Sequence, residues 1–197
     1  MIQAVVEGRK TQTRRVIKID GVNIHDNKWV QGNYHPRYGC AFINDGISET
    51  WSAQPRYHAG ETVYIKEAYR FPIPLDNLSP SEIYSKYGAF QRRYLLDGVL
   101  CGENPYSLAM TDGRIRSPLM MPEWAARHFL TILAVRAERV QEITPEDCIA
   151  EGIIEECGDG LALRDRYEAL WSSINPTYPF ESNPWVYLHE FEYKGGK

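Results

Sequence analysis

The side chains with the clearest capacity for chemistry stand near the N-terminus, in a run of basic and hydroxyl residues. Residues 8–15 read GRKTQTRR, so Lys10 and Thr13 are three positions apart. At this spacing two residues share a face of a helical turn, whereas in an extended strand they lie on opposite faces. Chemistry that uses both side chains therefore requires a turn or bulge here, and Gly8 permits one.

Hydrolysis of an amide is one reaction that these residue types support. It needs a nucleophile, a proton acceptor and a proton donor for the leaving amine. Thr13 could supply a hydroxyl or position a water molecule. Lys10 could act as the base in a partly dry setting where neighbouring cations disfavour its charged form. Three such cations adjoin it: Arg9, Arg14 and Arg15.

A candidate proton-transfer group lies far along the chain, at Glu151. A helix is predicted to begin at Thr144, which can cap it, with Pro145 in the first helical position, and to end at Gly152. Glu151 is then at the C-terminal end of this helix, where the helix dipole disfavours a carboxylate. We expect this position to suit Glu151 to proton transfer with the leaving group.

Composition and charge limit the classes of partner. The chain has 197 residues, 43% of them hydrophobic and 24% charged, which is ordinary for one globular domain, predicted over residues 1–197. The net charge is -4, whereas proteins that coat duplex nucleic acid present a broad basic surface. A local basic segment on an acidic body favours a small ligand or a short single strand.

No metal, organic cofactor or membrane segment is predicted. The cysteines Cys40, Cys101, Cys148 and Cys157 form no closely spaced pair, and the histidines form no ligand-spaced cluster with them. Scattered thiols indicate the cytoplasm. The chain shows no signal-peptide pattern and no apolar run long enough to span a bilayer.

Short strands and a few short helices predict an α+β domain on a small barrel. The strongest strand patterns cover residues 62–66, 129–140 and 185–193, and a second helix is predicted over 165–174. Residues from about 72 to 113 are rich in Pro, Asn, Ser and Tyr and have little periodicity. They are interpreted as an irregular insertion with one short helix and one strand.

Five segments, in order, resemble the ASCH-domain family of bacteria and tailed phages. They cover the chain from end to end apart from the insertion. The matching segments are residues 7–15 (EGRKTQTRR), 60–67 (GETVYIKE), 117–122 (SPLMMP) with Trp124, Ala125 and Arg127, 135–153 (with AEGI at its end) and 183–187 (NPWVY).

The resemblance implies a small PUA-like β-barrel with short flanking helices and a cleft floored by the basic segment. Relatives include RNA-binding modules and small amidohydrolases that remove the acetyl group of N4-acetylcytidine. In those enzymes a lysine and a threonine of the GRKTxT-type motif act with a later glutamate, and the positions that match here are Lys10, Thr13 and Glu151.

Further residues are candidates for contacts with a substrate. Tyr64 could stack on a base, which is typically worth about 1–3 kcal/mol. Lys66 and Glu67 either line the cleft or form a surface ion pair of little worth. Arg127 is either a substrate contact or a charge at a helix end. The predicted binding residues are Arg9, Arg14, Arg15, Tyr64, Lys66, Glu67 and Arg127.

Four functions remain open from the sequence. The first is an amidohydrolase acting on N4-acetylcytidine or a similar modified nucleoside. The second is an RNA-binding module without catalysis, and the third is a ribonuclease. The fourth is a phage accessory protein that binds a host protein. The presence of a lysine, a threonine and a glutamate together favours the first, whereas the long insertion is absent from compact amidohydrolases and favours a larger substrate.

Overall fold

The computed structural model describes residues 2–18, 30–35, 40–44, 50–87, 92–94, 100–101, 113–154 and 162–196. Within these ranges the side chains of 30–35, 40–44, 50–51, 87, 92–94, 100–101 and 196 are not described. The chain divides into two compact units, which are Met1–Thr62 with Thr131–Tyr193 and Val63–Leu130 with Lys194–Lys197.

The described regular structure consists of short strands and short helices. The strands are β1 (Gln12–Val16), β2 (Val30–His35), β3 (Cys40–Asn44), β4 (Thr50–Ala53), β5 (Thr62–Tyr64), β6 (Tyr69–Arg70), β7 (Arg92–Tyr94), β8 (Leu100–Cys101), β9 (His128–Arg139) and β10 (Trp185–Gly196). The helices are α1 (Ile2–Val6), α2 (Pro80–Tyr87), α3 (Pro145–Ala150) and α4 (Leu163–Ile174). No described helix is long and apolar enough to cross a membrane.

The largest sheet is four-stranded and antiparallel, with strand order β1-β10-β9-β5. The predicted mixture of helices and strands is confirmed. The described strands do not close the sheet, so the predicted small barrel is not confirmed. Two three-stranded sheets accompany it, with orders β2-β3-β4 and β6-β7-β8.

The pairing of β1 with β10 sorts their side chains onto two faces. Thr13 lies opposite His189 and Arg15 opposite Tyr187, and these four residues define the His189 face. The residues between them in each strand define the α3 face, which comprises Gln12, Arg14 and Val16 with Val186, Leu188 and Glu190.

The first unit has its described core on the α3 face. Val186 is fully buried there and packs with side chains from the α3 and α4 region. Trp171 of α4 is buried, and its Nε1 donates to the carbonyl of Tyr178 at 2.8 Å, so this large ring adds apolar area without an unpaired polar atom. The remaining buried members of the cluster are Val140, Ile143, Cys148, Tyr167 and Phe180.

The second unit has its own core, built from Tyr69, Phe71, Leu75, Ile83, Met121, Ala125 and Ala126. Leu75 and Ile83 come from the stretch interpreted as an irregular insertion, so that stretch contributes buried apolar side chains to this unit. The guanidinium of Arg116 donates to the carbonyls of Leu75 and Leu78 at 3.0 and 2.8 Å and fixes the turn between them.

The elements with the longest sequence patterns were the ones best predicted. β9 and β10 occupy the two predicted late strands, and α4 begins at Leu163, two residues before its predicted start. The strand predicted over 62–66 ends at Tyr64. The short strands β4, β6 and β8 were missed because two to four residues carry too little alternation to detect.

Candidate functional site

The basic segment enters β1 through a tight turn that follows α1. Gly8 stands in the left-handed region with φ of 73°, which ends the helix. The amide of Lys10 donates to the carbonyl of Ala4 at 2.8 Å, and the amide of Thr11 donates to the carbonyl of Ala150 at 2.8 Å. The main chain of the segment is therefore held directly against the end of α3.

The helix α3 begins and ends as its sequence predicted. The hydroxyl of Thr144 accepts from the amide of Asp147 at 3.2 Å, and Pro145 opens the first turn. Glu151 is the C-terminal capping residue, and Gly152 follows with φ of 90°. The carboxylate of Glu151 thus leaves the helix beside the segment that carries Lys10.

Lys10 and Glu151 meet directly. The Nζ atom of Lys10 lies 2.6 Å from Oε2 of Glu151 and 2.6 Å from its main-chain oxygen. The two side chains are only 9% and 7% exposed. A charge pair this deeply buried persists only when hydrogen bonds satisfy both groups, and here the ammonium contributes two of its donors to one residue.

Arg14 connects this pair to two further carboxylates. Its side chain is 0% exposed, and its nitrogens lie 2.6 Å from Glu138, 2.9 Å from Asp147 and 3.3 Å from Glu151. Burial opposes the charge on Arg14, but the attraction of Glu138 and Glu151 prevails and raises its pKa. Arg14 is therefore a permanent cation that links β1 to α3 and, across β10, to β9.

Gln12 completes the contact between β1 and α3. Its side-chain nitrogen donates to the carbonyl and to Oδ1 of Asp147 at 2.9 and 3.1 Å. Burial favours the neutral form of Asp147, but the bonds from Gln12 and the amide of Thr144, with the charge of Arg14, hold its pKa below 3.8.

The charges of this cluster compensate one another. Its cations are Lys10, Arg14 and Arg136, and its carboxylates are Glu138, Asp147, Glu151 and Glu190. Three positive charges face four negative ones, so no positive surplus remains to attract a phosphate. This cluster on the α3 face is termed the Lys10 cluster below.

Thr13 does not join the Lys10 cluster. It lies within β1 opposite His189, whereas its strand neighbours Gln12 and Arg14 point to the other side. The structure therefore brings together Lys10 and Glu151, two of the three predicted catalytic residues, and places Thr13 on the His189 face.

The other predicted binding residues of the segment are spread out. Arg9 is exposed and pairs with the carboxylate of Glu7 at 2.6 Å. Arg14 is enclosed by carboxylates, as described above. Arg15 is exposed on the His189 face, and no ion pair to it occurs among the described residues. Of the three arginines, Arg15 alone presents its charge to solvent with no carboxylate partner in the part of the chain that the structure describes.

The remaining predicted residues lie in the second unit. Glu67 is 1% exposed and accepts two bonds from Arg127, at 2.9 and 2.7 Å. This fork arrangement occupies both carboxylate oxygens of Glu67. The hydroxyl of Tyr64 donates to the carbonyl of Met121 at 3.4 Å, and Nζ of Lys66 donates to the carbonyl of Leu119 at 3.1 Å.

Sequence reasoning missed Gln12, Glu138 and Asp147 as partners of the site. A signal existed for two of them. Gln12 is two positions from both Lys10 and Arg14, so in a strand it lies on the same face as they do. Asp147 is four residues before Glu151, so the two share a face of their helix. No local signal identifies Glu138, because β9 is brought near β1 only through the sheet, in which β10 lies between them.

An open pocket lies beside the basic segment in the first unit. Its volume is about 620 Å³, within the range of small-molecule sites. Thr11 and Gln12, the two residues after Lys10, contribute to its wall. The lining combines apolar and aromatic side chains with the carboxylates of Glu7, Glu190 and Glu192. The complete set of lining residues is Val6, Glu7, Gly8, Thr11, Gln12, Leu133, Glu190, Phe191, Glu192 and Tyr193.

Within the described ranges, no group of three or more His, Cys, Asp or Glu side chains is placed to hold a metal ion. Comparison of the chain with models of protein families, with curated proteins and with solved structures gave no match.

Proposed function

We propose that this protein binds a small uncharged modified nucleoside and hydrolyses an amide bond in it, of the kind found in N4-acetylcytidine. The proposal includes a cytoplasmic setting and an ASCH-type, PUA-like fold, to which the four-stranded sheet would contribute. The observation that carries it is the 2.6 Å contact between Nζ of Lys10 and Oε2 of Glu151. It brings together two of the proposed catalytic residues that are 141 positions apart in the sequence.

The charges around the basic segment favour a neutral substrate. Arg9 pairs with Glu7, and Lys10 and Arg14 lie among carboxylates. A strand of RNA binds chiefly through contacts between cations and its phosphates, and these three cations are already matched. The carboxylates that line the adjoining pocket also repel phosphate, which favours a free nucleoside over a nucleotide or an RNA strand.

The ion pair suggests how the reaction divides between the two residues. Glu151, as the carboxylate, accepts a proton from a water molecule that attacks the acetyl carbonyl carbon. The ammonium of Lys10 stabilises the negative charge that develops on the carbonyl oxygen. The C–N bond then breaks, the proton passes from Glu151 to the leaving amine, and the products are the free nucleoside and acetic acid, which releases its proton to solvent as acetate. In this scheme water is the nucleophile, because Thr13 is on the His189 face.

Binding of RNA without catalysis is the second candidate. The exposed side chain of Arg15 on the His189 face is the observation that favours it. A strand held mainly by this face would make few phosphate contacts, so its affinity would fall only gently with salt.

Turnover of N4-acetylcytidine tests the proposed function. We expect the purified protein to release cytidine and acetate, followed by chromatography. Glu151→Gln and Lys10→Ala should each lower kcat by about 100-fold or more, the usual scale for a proton-transfer group. Arg9→Ala is the matched control, since Arg9 is exposed on the same segment, and it should retain full activity.

Two results would overturn the proposal. The first is a folded wild-type protein that releases no cytidine. The second is turnover that survives both Glu151→Gln and Lys10→Ala. Circular dichroism of each variant separates loss of the reaction from loss of the fold.

A further inference from the structure

His189 occupies the centre of the face opposite to the Lys10 cluster. It is 3% exposed and lies across from Thr13 in the pairing of β10 with β1. The rings of Tyr57 and Tyr187 meet its imidazole edge-on, each with a centroid separation of 6.2 Å. The hydroxyl of Tyr187 donates to the carbonyl of Ala53, which ties this face to the end of β4.

Neither ring nitrogen of His189 has a hydrogen-bond partner among the described residues. The main chains of Thr13 and Tyr187 lie close enough to favour the charged imidazole, but neither completes a hydrogen bond. A buried polar group left unpaired typically costs about 1–3 kcal/mol, and native structures leave few of them. Two such atoms on one ring indicate that a partner of the ring is missing.

The groups around His189 are neutral or cationic. Thr13 and Arg15 face it from β1, Tyr187 from β10, and Tyr57 and His58 from the segment before β5. Burial, together with the charges of Arg15 and His58, holds the pKa of His189 below 6.5. The largest contributions to this shift come from burial, from two main-chain groups and from cations, and none of these is a carboxylate.

One further cation adjoins the same face. The guanidinium of Arg56 lies 5.4 Å from the centroid of the Tyr57 ring. Arg15 in β1 and Arg56 in the segment before β5 are both exposed. A ligand that pairs with His189 would therefore bind in surroundings that favour a negatively charged group.

We infer that the His189 face is a second binding site, which takes a phosphate group. The imidazole N–H donates to a phosphate oxygen, and the hydroxyl of Thr13 and the guanidinium of Arg15 supply further donors. Hydrogen bonds between such donors and an anion are about twice as strong as neutral ones. The inference does not depend on the proposed hydrolysis, because it uses none of the residues of the Lys10 cluster.

Access to the site requires a local movement. The ring nitrogens of His189 are enclosed, and the Tyr57 ring stands at the edge of the imidazole. We expect a movement of Tyr57, together with Arg56 over its ring, to uncover them. These two side chains are of the types that hold a nucleobase, so the phosphate comes either from a nucleotide or from inorganic phosphate.

Binding is tested by titrating the full chain and following the imidazole signals of His189 by NMR, with His189→Gln to assign them. The ligands are inorganic phosphate, cytidine 5′-monophosphate and cytidine. We expect both phosphates to shift the signals of His189 and cytidine to leave them unchanged. A nucleotide bound about 10-fold more tightly than inorganic phosphate identifies the nucleotide as the source, and equal affinities identify the free ion.

The matched variants are Arg15→Gln and Arg9→Gln, two arginines of the same segment. Arg15→Gln should weaken phosphate binding about 10-fold, as expected for one charged hydrogen bond, and Arg9→Gln should leave it unchanged. Absence of any shift at His189, or equal loss in both variants, would overturn the inference. Lys10→Ala should bind phosphate normally, so a failure of the proposed hydrolysis and a failure of this site are told apart.

A pH series with sulfate provides an independent check, because sulfate keeps its charge between about pH 5 and pH 8 while histidine titrates. An anion favours the protonated imidazole, so binding to the wild type should tighten several-fold as the pH falls through this range. His189→Gln should lose most of this dependence. Equal pH dependence in the wild type and His189→Gln would contradict the role assigned to His189.

Discussion

The ammonium of Lys10 lies 2.6 Å from the carboxylate of Glu151 and 2.6 Å from the main-chain oxygen of the same residue. The Lys10 side chain thus pairs with both the carboxylate and the main-chain carbonyl of Glu151, the capping residue of α3. The contact fixes the C-terminal end of a six-residue helix to the segment that precedes β1. Stability and the proposed chemistry consequently depend on the same pair.

Removal of one member of the pair should be far worse than removal of both. We expect Lys10→Met to lower the free energy of unfolding by about 3 kcal/mol, since it leaves a buried carboxylate with Arg14 as its remaining cation. Adding Glu151→Leu should recover a large part of this loss, because no uncompensated charge remains. Urea unfolding of the two single variants and the double variant measures the coupling. Additive losses would show that the two side chains do not interact.

Gly152 sets the space available to Lys10. It has φ of 90°, and a Cβ added there would lie 3.2 Å from Cβ of Lys10. Gly152→Ala should therefore combine backbone strain of about 1–2 kcal/mol with displacement of the lysine, and should lower the proposed activity as well as the stability. Both are measured by urea unfolding and by turnover.

Gly60→Ala is the matched control for Gly152→Ala. Gly60 has a similar φ of 88°, but a Cβ there would meet nothing within 4 Å, and Gly60 does not line the pocket. We expect the same loss from backbone strain and unchanged turnover per folded molecule. If the two variants lose turnover equally, the space beside Lys10 is not what matters.

Asp147 should make the protein sensitive to acid. Burial opposes its charge, but bonds from Gln12 and Thr144 and the charge of Arg14 lower its pKa below the unfolded value of 3.8. Its stabilising contribution is therefore present above about pH 3.8 and is lost as the pH falls toward the folded pKa. Asp147→Asn should be less stable than the wild type at neutral pH, and the difference should shrink below about pH 3.8 in urea titrations. Parallel curves for the two proteins over this range would refute the assignment.

His189 should also make the protein less stable as the pH falls, but beginning at a higher pH than Asp147. Burial and nearby cations hold its folded pKa below the unfolded value of 6.5. Below about pH 6.5 the unfolded chain binds a proton that the folded chain does not, so the free energy of unfolding falls by up to about 1.4 kcal/mol per pH unit until the folded pKa is reached. His189→Phe removes this contribution and should flatten the stability profile below about pH 6.5 relative to the wild type. A wild-type profile no steeper than that of the variant would show that His189 is not protonated on unfolding.

Local patterns in the sequence were sufficient for the ends of α3 and for the long strands. Thr144, Pro145 and Gly152 predict the limits of α3 because capping and left-handed backbone are decided by a few adjacent residues. The same reasoning placed Glu151 at the end of its helix. The apolar stretches of β9 and β10 are long enough for their strand pattern to be recognised.

Several features depended on pairing between distant segments, which no local pattern reports. Closure of the sheet is one of them, and the described strands leave it open. The meeting of Lys10 with Glu151 is another, since it follows from the bond between the amide of Thr11 and the carbonyl of Ala150. The separation of Thr13 from that pair depends on how Lys10 leaves the turn after Gly8, which the sequence left undecided.

By itself, the sequence determined which side chains are available, their net charge of -4 and the local limits of the longer elements. The tertiary structure alone decided which cations have carboxylate partners. Arg14 and Arg15 are adjacent and identical in type, yet Arg14 is enclosed by three carboxylates and Arg15 is exposed. The physical reason is that neighbours in a strand point to opposite faces, and only the packing of α3 and β9 determines what each face meets.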